Sequence, residues 1–250
     1  MRILIAALLA IVIAACFAAV ALGGIGNLVP KNVRSIAEAY LRYSYDSTRP
    51  SLWSSSPEVV NAILWDYRCL DTIFETMVLF AALVGCLVLS SRIAKVEKES
   101  TLTIIARSGV RIAMVFILFA SLILAFRGYV TPGGGFQGGV AFATIPVAIL
   151  AAYSYRHLEE FGLKLRQAEV LRSVGLLTIA FLASLPLAVV GGYLAQNLAK
   201  EWSPSVYSPW IGPLYVAGSI LFYNLSELLV VSMEFTAIFL LLHLLRGGRQ

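Results

Sequence analysis

Three groups of residues in this 250-residue chain have the types and spacing to do chemistry. The first is Asp66, Arg68, Asp71 and Glu75. On a helix Arg68, Asp71 and Glu75 stand three and four residues apart and share a face, with Asp66 elsewhere. Arg68 can neutralise Asp71 or Glu75 but not both, so one carboxylate is left to exchange protons. The alternative is a surface salt bridge where the helix begins. That is the simpler reading for Asp66, Arg68 and Asp71, while both stay open for Glu75. The second group is Asn224, Glu227 and Glu234, whose spacings of three and seven put them near one helical face. Around Glu234 the run Leu228–Leu245 is interrupted only by Ser232, Thr236 and His243. A glutamate so deep in apolar sequence is neutral, paired or turned towards water. Glu227 and Glu234 can pass protons or hold a cation through waters. A polar contact holding a subunit interface is the alternative.

The third group is Thr131 followed by Pro132, Gly133, Gly134, Gly135, Phe136, Gln137, Gly138 and Gly139. The string lacks the Lys-Ser/Thr ending of a phosphate loop, so nucleotide binding is not indicated. A tight re-entrant turn is expected instead, with Gly138 and Gly139 letting the next helix approach a neighbour closely. Cys16, Cys69 and Cys86 show no CxxC spacing, and His157 and His243 are far apart, so no metal or cluster site is implied. Buried, inert thiols are expected.

The elements positioning these groups are membrane helices. The chain is 59% apolar and 13% charged, with a mean hydropathy of +0.84. Soluble domains carry about 25% charged residues, so an ordinary soluble enzyme and a disordered chain are both excluded. The net charge of +5 comes without the basic, aromatic-interleaved stripe that would indicate nucleic acid. Apolar runs predict six spans, near Ile3–Leu22, Asp71–Ser90, Ile104–Phe126, Phe136–Tyr155, Leu171–Leu194 and Pro213–Leu245. The last is too long for one upright helix, so it is tilted, broken, or begins outside the hydrocarbon. The first is read as a retained span rather than a cleaved signal, its charged flank being only Arg2 and the amino terminus. Pro146 and Pro186 fall inside spans and are expected to kink them.

With the amino terminus inside, twelve of the 19 Lys and Arg residues fall in inner segments, among them Arg172. That bias predicts an all-α polytopic protein with both termini cytoplasmic. The outer loop 23–57 holds Tyr40, Tyr43, Tyr45 and Trp53, with a short interfacial helix expected over Val33–Arg42. The organisation reads as a two-span module (residues 1–91), a charged linker (92–100) and a four-span module (101–250), without internal repeats. Absent repeats argue against a stand-alone transporter.

The string Pro132–Gly139 resembles the signature of the B subunit of Mrp-type multisubunit cation/proton antiporters (MnhB-like), and the four-span layout of 101–250 fits that family. The stretch Ala62–Glu75 is similar to the carboxy-terminal end of the Mrp A subunit, whose pattern is roughly Asp-x-Arg-Gly-x-Asp-Thr-x-x-Glu. Asp66, Arg68, Asp71, Thr72 and Glu75 match it, and Cys69 replaces the glycine. Where the family often carries His-Asn ahead of the glycines, this chain has Arg127-Gly128-Tyr129-Val130-Thr131. Small versions of both modules also occur in archaeal membrane-bound hydrogenases, sulfane-sulfur reductases and formate hydrogenlyases, which are related to respiratory complex I. The resemblance implies a non-catalytic, multi-pass subunit of the cytoplasmic membrane that helps form a Na+ or H+ path. Taken with the spacing arguments above, the expected ion-path residues are Glu75, Asn224, Glu227 and Glu234, with Asp66, Arg68 and Asp71 tuning charge. No cofactor or metal is expected in the chain. The implied partners are A-, C- and D-like antiporter subunits, small E-, F- and G-like ones, and a hydrogenase-like or sulfur-reductase-like redox arm. The rival expectation is a purely structural scaffold joining those subunits.

Overall fold

The structure is a computed structural model that describes residues 2–21, 34–46, 48–49, 51–90, 102–153, 155–160, 162–200 and 210–246. The expected charged linker, 92–100, lies outside the described residues. The chain forms two compact units, Met1–Ala39 and Tyr40–Gln250. The first holds α1, Arg2–Ala21, a 20-residue helix over the expected first span. Its described apolar stretch is Ala10–Ala19. Helix α2, Ser35–Ser44, begins in the first unit and lies two residues past the expected Val33–Arg42.

In the second unit a short helix α3, Val59–Ala62, runs into a π-helical turn, Ile63–Tyr67. Five helices there are long and apolar enough to cross a membrane: α4 (Cys69–Ser90), α5 (Ile104–Arg127), α6 (Gly135–Ala152), α8 (Leu165–Val189) and α9 (Ile220–Arg246). Between α6 and α8 lies the short α7, Tyr155–Glu160. A two-stranded hairpin, β1 (Trp210–Ile211) and β2 (Leu214–Tyr215), precedes α9. This hairpin corrects the expected span from Pro213. Gly212 takes a left-handed turn, and the seven residues before Ile220 stay outside the helix. Helix α8 starts at Leu165, six residues ahead of the expected Leu171, because the polar turn Leu165–Val170 continues the helix.

Helix α9 is apolar on nearly every side, which suits a helix surrounded by protein. It packs against α4, α5, α6 and α8. Two neighbours approach it through glycine. A Cβ on Gly139 of α6 would stand 2.7 Å from Val231 Cβ, and one on Gly175 of α8 would stand 2.7 Å from Val230 Cγ2. The amino ends of α4, α6 and α9 and the carboxyl ends of α5 and α8 share one end of the bundle. Segments 51–67, 128–134 and 190–200 cover that end together with the hairpin. They are tied by Ser56 Oγ donating to Tyr129 O (2.9 Å) and by Tyr129 Oη donating to Tyr215 O (2.5 Å).

Candidate functional site

At the covered end, Asp66 is held in the π-helical turn and faces Lys200, from the loop after α8. Lys200 Nζ lies 2.8 Å from both carboxylate oxygens, and the Lys200 and Asp66 side chains are 3% and 0% exposed. The Asn197 N–H donates to Asp66 Oδ1 at 3.0 Å. Lys200 also reaches the Tyr193 hydroxyl at 2.5 Å, and its ammonium sits over the Tyr67 and Tyr193 rings. Burial pushes the Asp66 carboxyl up from its usual range, against the pull of the Lys200 ammonium and the Asn197 N–H. Burial also raises the Tyr67 and Tyr193 phenols, with Asp66 adding to both. Asn197 completes the knot. Its Nδ2 donates to Ser54 O (2.5 Å) and Ala217 O (3.1 Å), and its Oδ1 accepts from the backbone N–H groups of Ala199 and Ser219. One asparagine thus joins three loops, and every polar atom of its side chain is used.

Below this knot lies the glycine turn. Asn61 is anchored because Glu58 Oε2 caps α3, accepting the Asn61 N–H at 2.6 Å. Asn61 Nδ2 then donates to Gly128 O (2.7 Å) and Gly133 O (2.9 Å), pinning both arms of the turn. The turn packs too tightly for side chains. A Cβ on Gly133 would stand 2.7 Å from Leu124 O, and one on Gly128 2.9 Å from Gly134 Cα. Gly135 lies against the Asn224 carbonyl and the Glu227 side chain, where a Cβ would collide with both. That approach lets the first turn of α6 sit on Glu227, whose Oε2 accepts the Phe136 N–H at 2.9 Å. A carboxylate there satisfies an otherwise unbonded helix N–H and suits the positive end of the helix dipole. Asn224 Oδ1 accepts from Trp65 Nε1 at 2.9 Å, and the Trp65 ring stacks on Tyr223 with centroids 4.7 Å apart. Glu227 and Asn224 are both buried.

Glu234 lies two turns further along α9, about 10 Å from Glu227 along the axis. It is 0% exposed, and neither carboxylate oxygen has a hydrogen-bond partner among the described residues. Among the described residues, a charge that acts on it is that of Arg172 of α8. Arg172 is 9% exposed, and its Nε and Nη1 lack hydrogen-bond partners among the described residues. Its guanidinium carbon lies 4.6 Å from the centre of the Phe80 ring of α4.

The remaining expected residues are more exposed. Arg68 and Asp71 form an ion pair with side chains 62% and 57% exposed, and Glu75, one turn on, is exposed. Asp66 leaves this group and joins Lys200. Cys16 is exposed, Cys69 buried and Cys86 half-buried. His157 stacks on Tyr153 and lies 3.4 Å from Glu160. The side chain of His243 lies outside the described residues. Among the described residues no three His, Cys, Asp or Glu side chains converge as metal ligands. Sequence reasoning missed Lys200, Asn197, Asn61 and the inward turn of Arg172. For Arg172 a signal existed: it is one position inside an apolar run that holds no other charge through Leu194.

A sequence family described as a domain related to the MnhB subunit of Na+/H+ antiporter matches residues 105–237. The whole fold is similar to a chain of the membrane-bound sulfane sulfur reductase, an archaeal respiratory membrane complex. That similarity has a TM-score of 0.71 at 23% identity and covers 97% of this chain and 98% of that one. It is also similar to a chain of the Mrp complex from Dietzia sp. DQ12-45-1b, with a TM-score of 0.67 at 18% identity, covering 100% of this chain and 26% of that one. No curated protein matches the chain in sequence.

Proposed function

Because this chain belongs to the family of domains related to the MnhB subunit of Na+/H+ antiporters, we propose that it is a membrane subunit of an Mrp-type cation/proton antiporter module. Its role is to form part of a path for Na+ or H+ along α9. The observation that carries this reading is Glu234, wholly buried near the middle of α9 with both carboxylate oxygens unbonded among the described residues. A carboxylate kept for packing is normally saturated with hydrogen bonds. One left open inside apolar protein is suited to taking up and releasing a cation or proton. Glu227 and Asn224 line the same helix nearer the glycine turn, and exposed Glu75 with the Arg68–Asp71 pair stands at a surface where a neighbouring subunit can complete the path. The Lys/Arg bias supports cytoplasmic termini, with the knotted end outside. The chain itself performs no catalysis. A-, C- and D-like subunits and small E-, F- and G-like ones are its partners, in the cytoplasmic membrane. A redox arm related to respiratory complex I belongs to the assembly if the match to the archaeal respiratory complex extends to composition.

A scaffold role is the second reading, and the Asp66–Lys200–Asn197 knot favours it, since its ion pair and the hydrogen bonds of the Asn197 side chain tie distant loops together. Both readings meet in one experiment. The complex is purified through a tag on this chain, its subunits are identified by mass, and proteoliposomes are assayed for Na+-driven proton movement. Antiporter subunits together with Na+-driven flux that falls at least tenfold in Glu227→Gln support the path. Unchanged flux in Glu227→Gln and in Glu234→Gln leaves the scaffold. Iron–sulfur or nickel-site subunits in the same preparation identify a redox-driven assembly.

A further inference from the structure

Arg172 and Glu234 are brought together by the helix crossing itself. Helices α8 and α9 run antiparallel and touch where Gly175 meets Val230 and the Ser226 carbonyl. Arg172 is three residues before Gly175 on α8, and Glu234 is four residues after Val230 on α9. Both steps run one turn towards the same end of the bundle and keep the same faces. The two side chains therefore occupy one layer of the interior. Their states within it do not match those of a settled ion pair. The acid has neither oxygen hydrogen-bonded, and the guanidinium rests on the Phe80 ring with two of its nitrogens unbonded, among the described residues.

An ionised carboxylate is not stable in a dry interior without hydrogen bonds, whereas a protonated one tolerates it far better. A guanidinium is never deprotonated in proteins, and an aromatic face is a place it can wait. Few other charges could serve in its place. Helix α6 carries no titratable residue, α4 carries none but Cys86 beyond Glu75, and α5 none between Ile112 and Phe126. On α9 the nearest is Glu227, two turns away, and on α8 itself Glu169 and Arg166 stand three and six residues before Arg172, towards the end of the helix.

We propose that Arg172 is the resident counter-cation of Glu234, lying on Phe80 while Glu234 holds a proton and pairing with the carboxylate once that proton leaves. The inference rests on the reading of Glu234 as a group that takes up and gives back the transported ion. The exchange balances. The proton departs to water as the transported ion, and the net charge of the pair goes from +1 to zero. An arriving proton or metal cation displaces the guanidinium back to Phe80. Glu234 is then never left ionised and bare in the membrane, and Arg172 competes directly with whichever cation is carried. Arg172 is a positioning residue, acting through Glu234.

The test is infrared titration of the purified complex in lipid. The carboxylic-acid band of Glu234 is assigned by its loss in Glu234→Gln. In Arg172→Gln the pH at which half of this band is lost rises by about one pH unit or more, because the opposing charge is gone. Arg172→Lys returns most of that change. Phe80→Leu moves the midpoint down, since the waiting place is lost and pairing is favoured. An unchanged midpoint in Arg172→Gln overturns the proposal, as does a wild-type band that never titrates. If Arg172→Gln does not assemble, Phe80→Leu and Arg172→Lys carry the test, and unchanged midpoints in both overturn it. Normal exchange by Glu234→Gln together with a shifted midpoint in Arg172→Gln sinks the ion-path reading and leaves the pair standing.

Discussion

Among the described residues, Asp66 and Glu234 are buried acids that share their surroundings with a buried base, and the chain treats them in opposite ways. Asp66 and Lys200 sit under the loops at 2.8 Å, with the Asn197 N–H and the Tyr193 hydroxyl adding further bonds. Glu234 and Arg172 share a layer between α8 and α9 and leave polar atoms unbonded on both sides. Ionic groups removed from water are tolerated only when their bonds are met. The first pair comes close to that condition in one fixed arrangement, with Asp66 Oδ1 accepting from Lys200 Nζ and the Asn197 N–H and Oδ2 facing the same ammonium at 2.8 Å, and so it ties loops that are distant in sequence. The second meets it only by changing state, through a proton or a movement of the arginine. On the proposed function, the difference separates a region built to hold shape from one built to cycle.

The largest effect that sharpens this contrast is Lys200→Met. It leaves a buried carboxylate without its cation and should cost about 3–5 kcal/mol. The measurement is thermal unfolding and recovery of the complex. Asp66→Asn combined with Lys200→Met should regain much of the loss, since both charges then go together. A Lys200→Met complex as stable as wild type breaks the comparison. Next is Gly139→Val, which drives a side chain into Val231 at the α6–α9 contact. Overpacking of this kind costs about 1–3 kcal/mol, and calorimetry of the complex should show it without any change in which ions are carried. The smallest effect is Arg68→Gln. Its pair with Asp71 is largely exposed, so stability should change by less than about 1 kcal/mol. A larger loss would mean that this surface is covered and its charge desolvated in the assembly.

The elements were legible in the sequence where composition alone decides them. The start of α5 at Ile104 and the glycine turn before α6 follow from an apolar run and from residues lacking Cβ atoms. The depth of Glu234 could be read from the uninterrupted run around it. Its partner was only half legible. Arg172 stands one residue inside the apolar run that starts at Leu171, but it follows the polar turn Leu165–Val170 and so reads as a flanking charge until the earlier start of α8 sets it deeper in the helix. Lys200 and Asn197 have no local signal. Asp66 and Lys200 are 134 residues apart in sequence, and a lysine in a polar loop reads as solvated until the fold closes over it. Asn61 is similar, its amide bonding to carbonyls 67 and 72 residues away. Periodicity reports which face of a helix is buried, but not which distant loop will cover a charge.

The central claim is that the open acid in α9 moves ions and does not merely join helices. Its most direct test is Na+-driven proton flux in proteoliposomes carrying the complex with Glu234→Gln, after checking that every subunit is retained. The account predicts intact assembly, unfolding within about 1 kcal/mol of wild type, and coupled flux reduced at least tenfold. Wild-type flux from a fully assembled Glu234→Gln complex would contradict it and make this acid a structural contact.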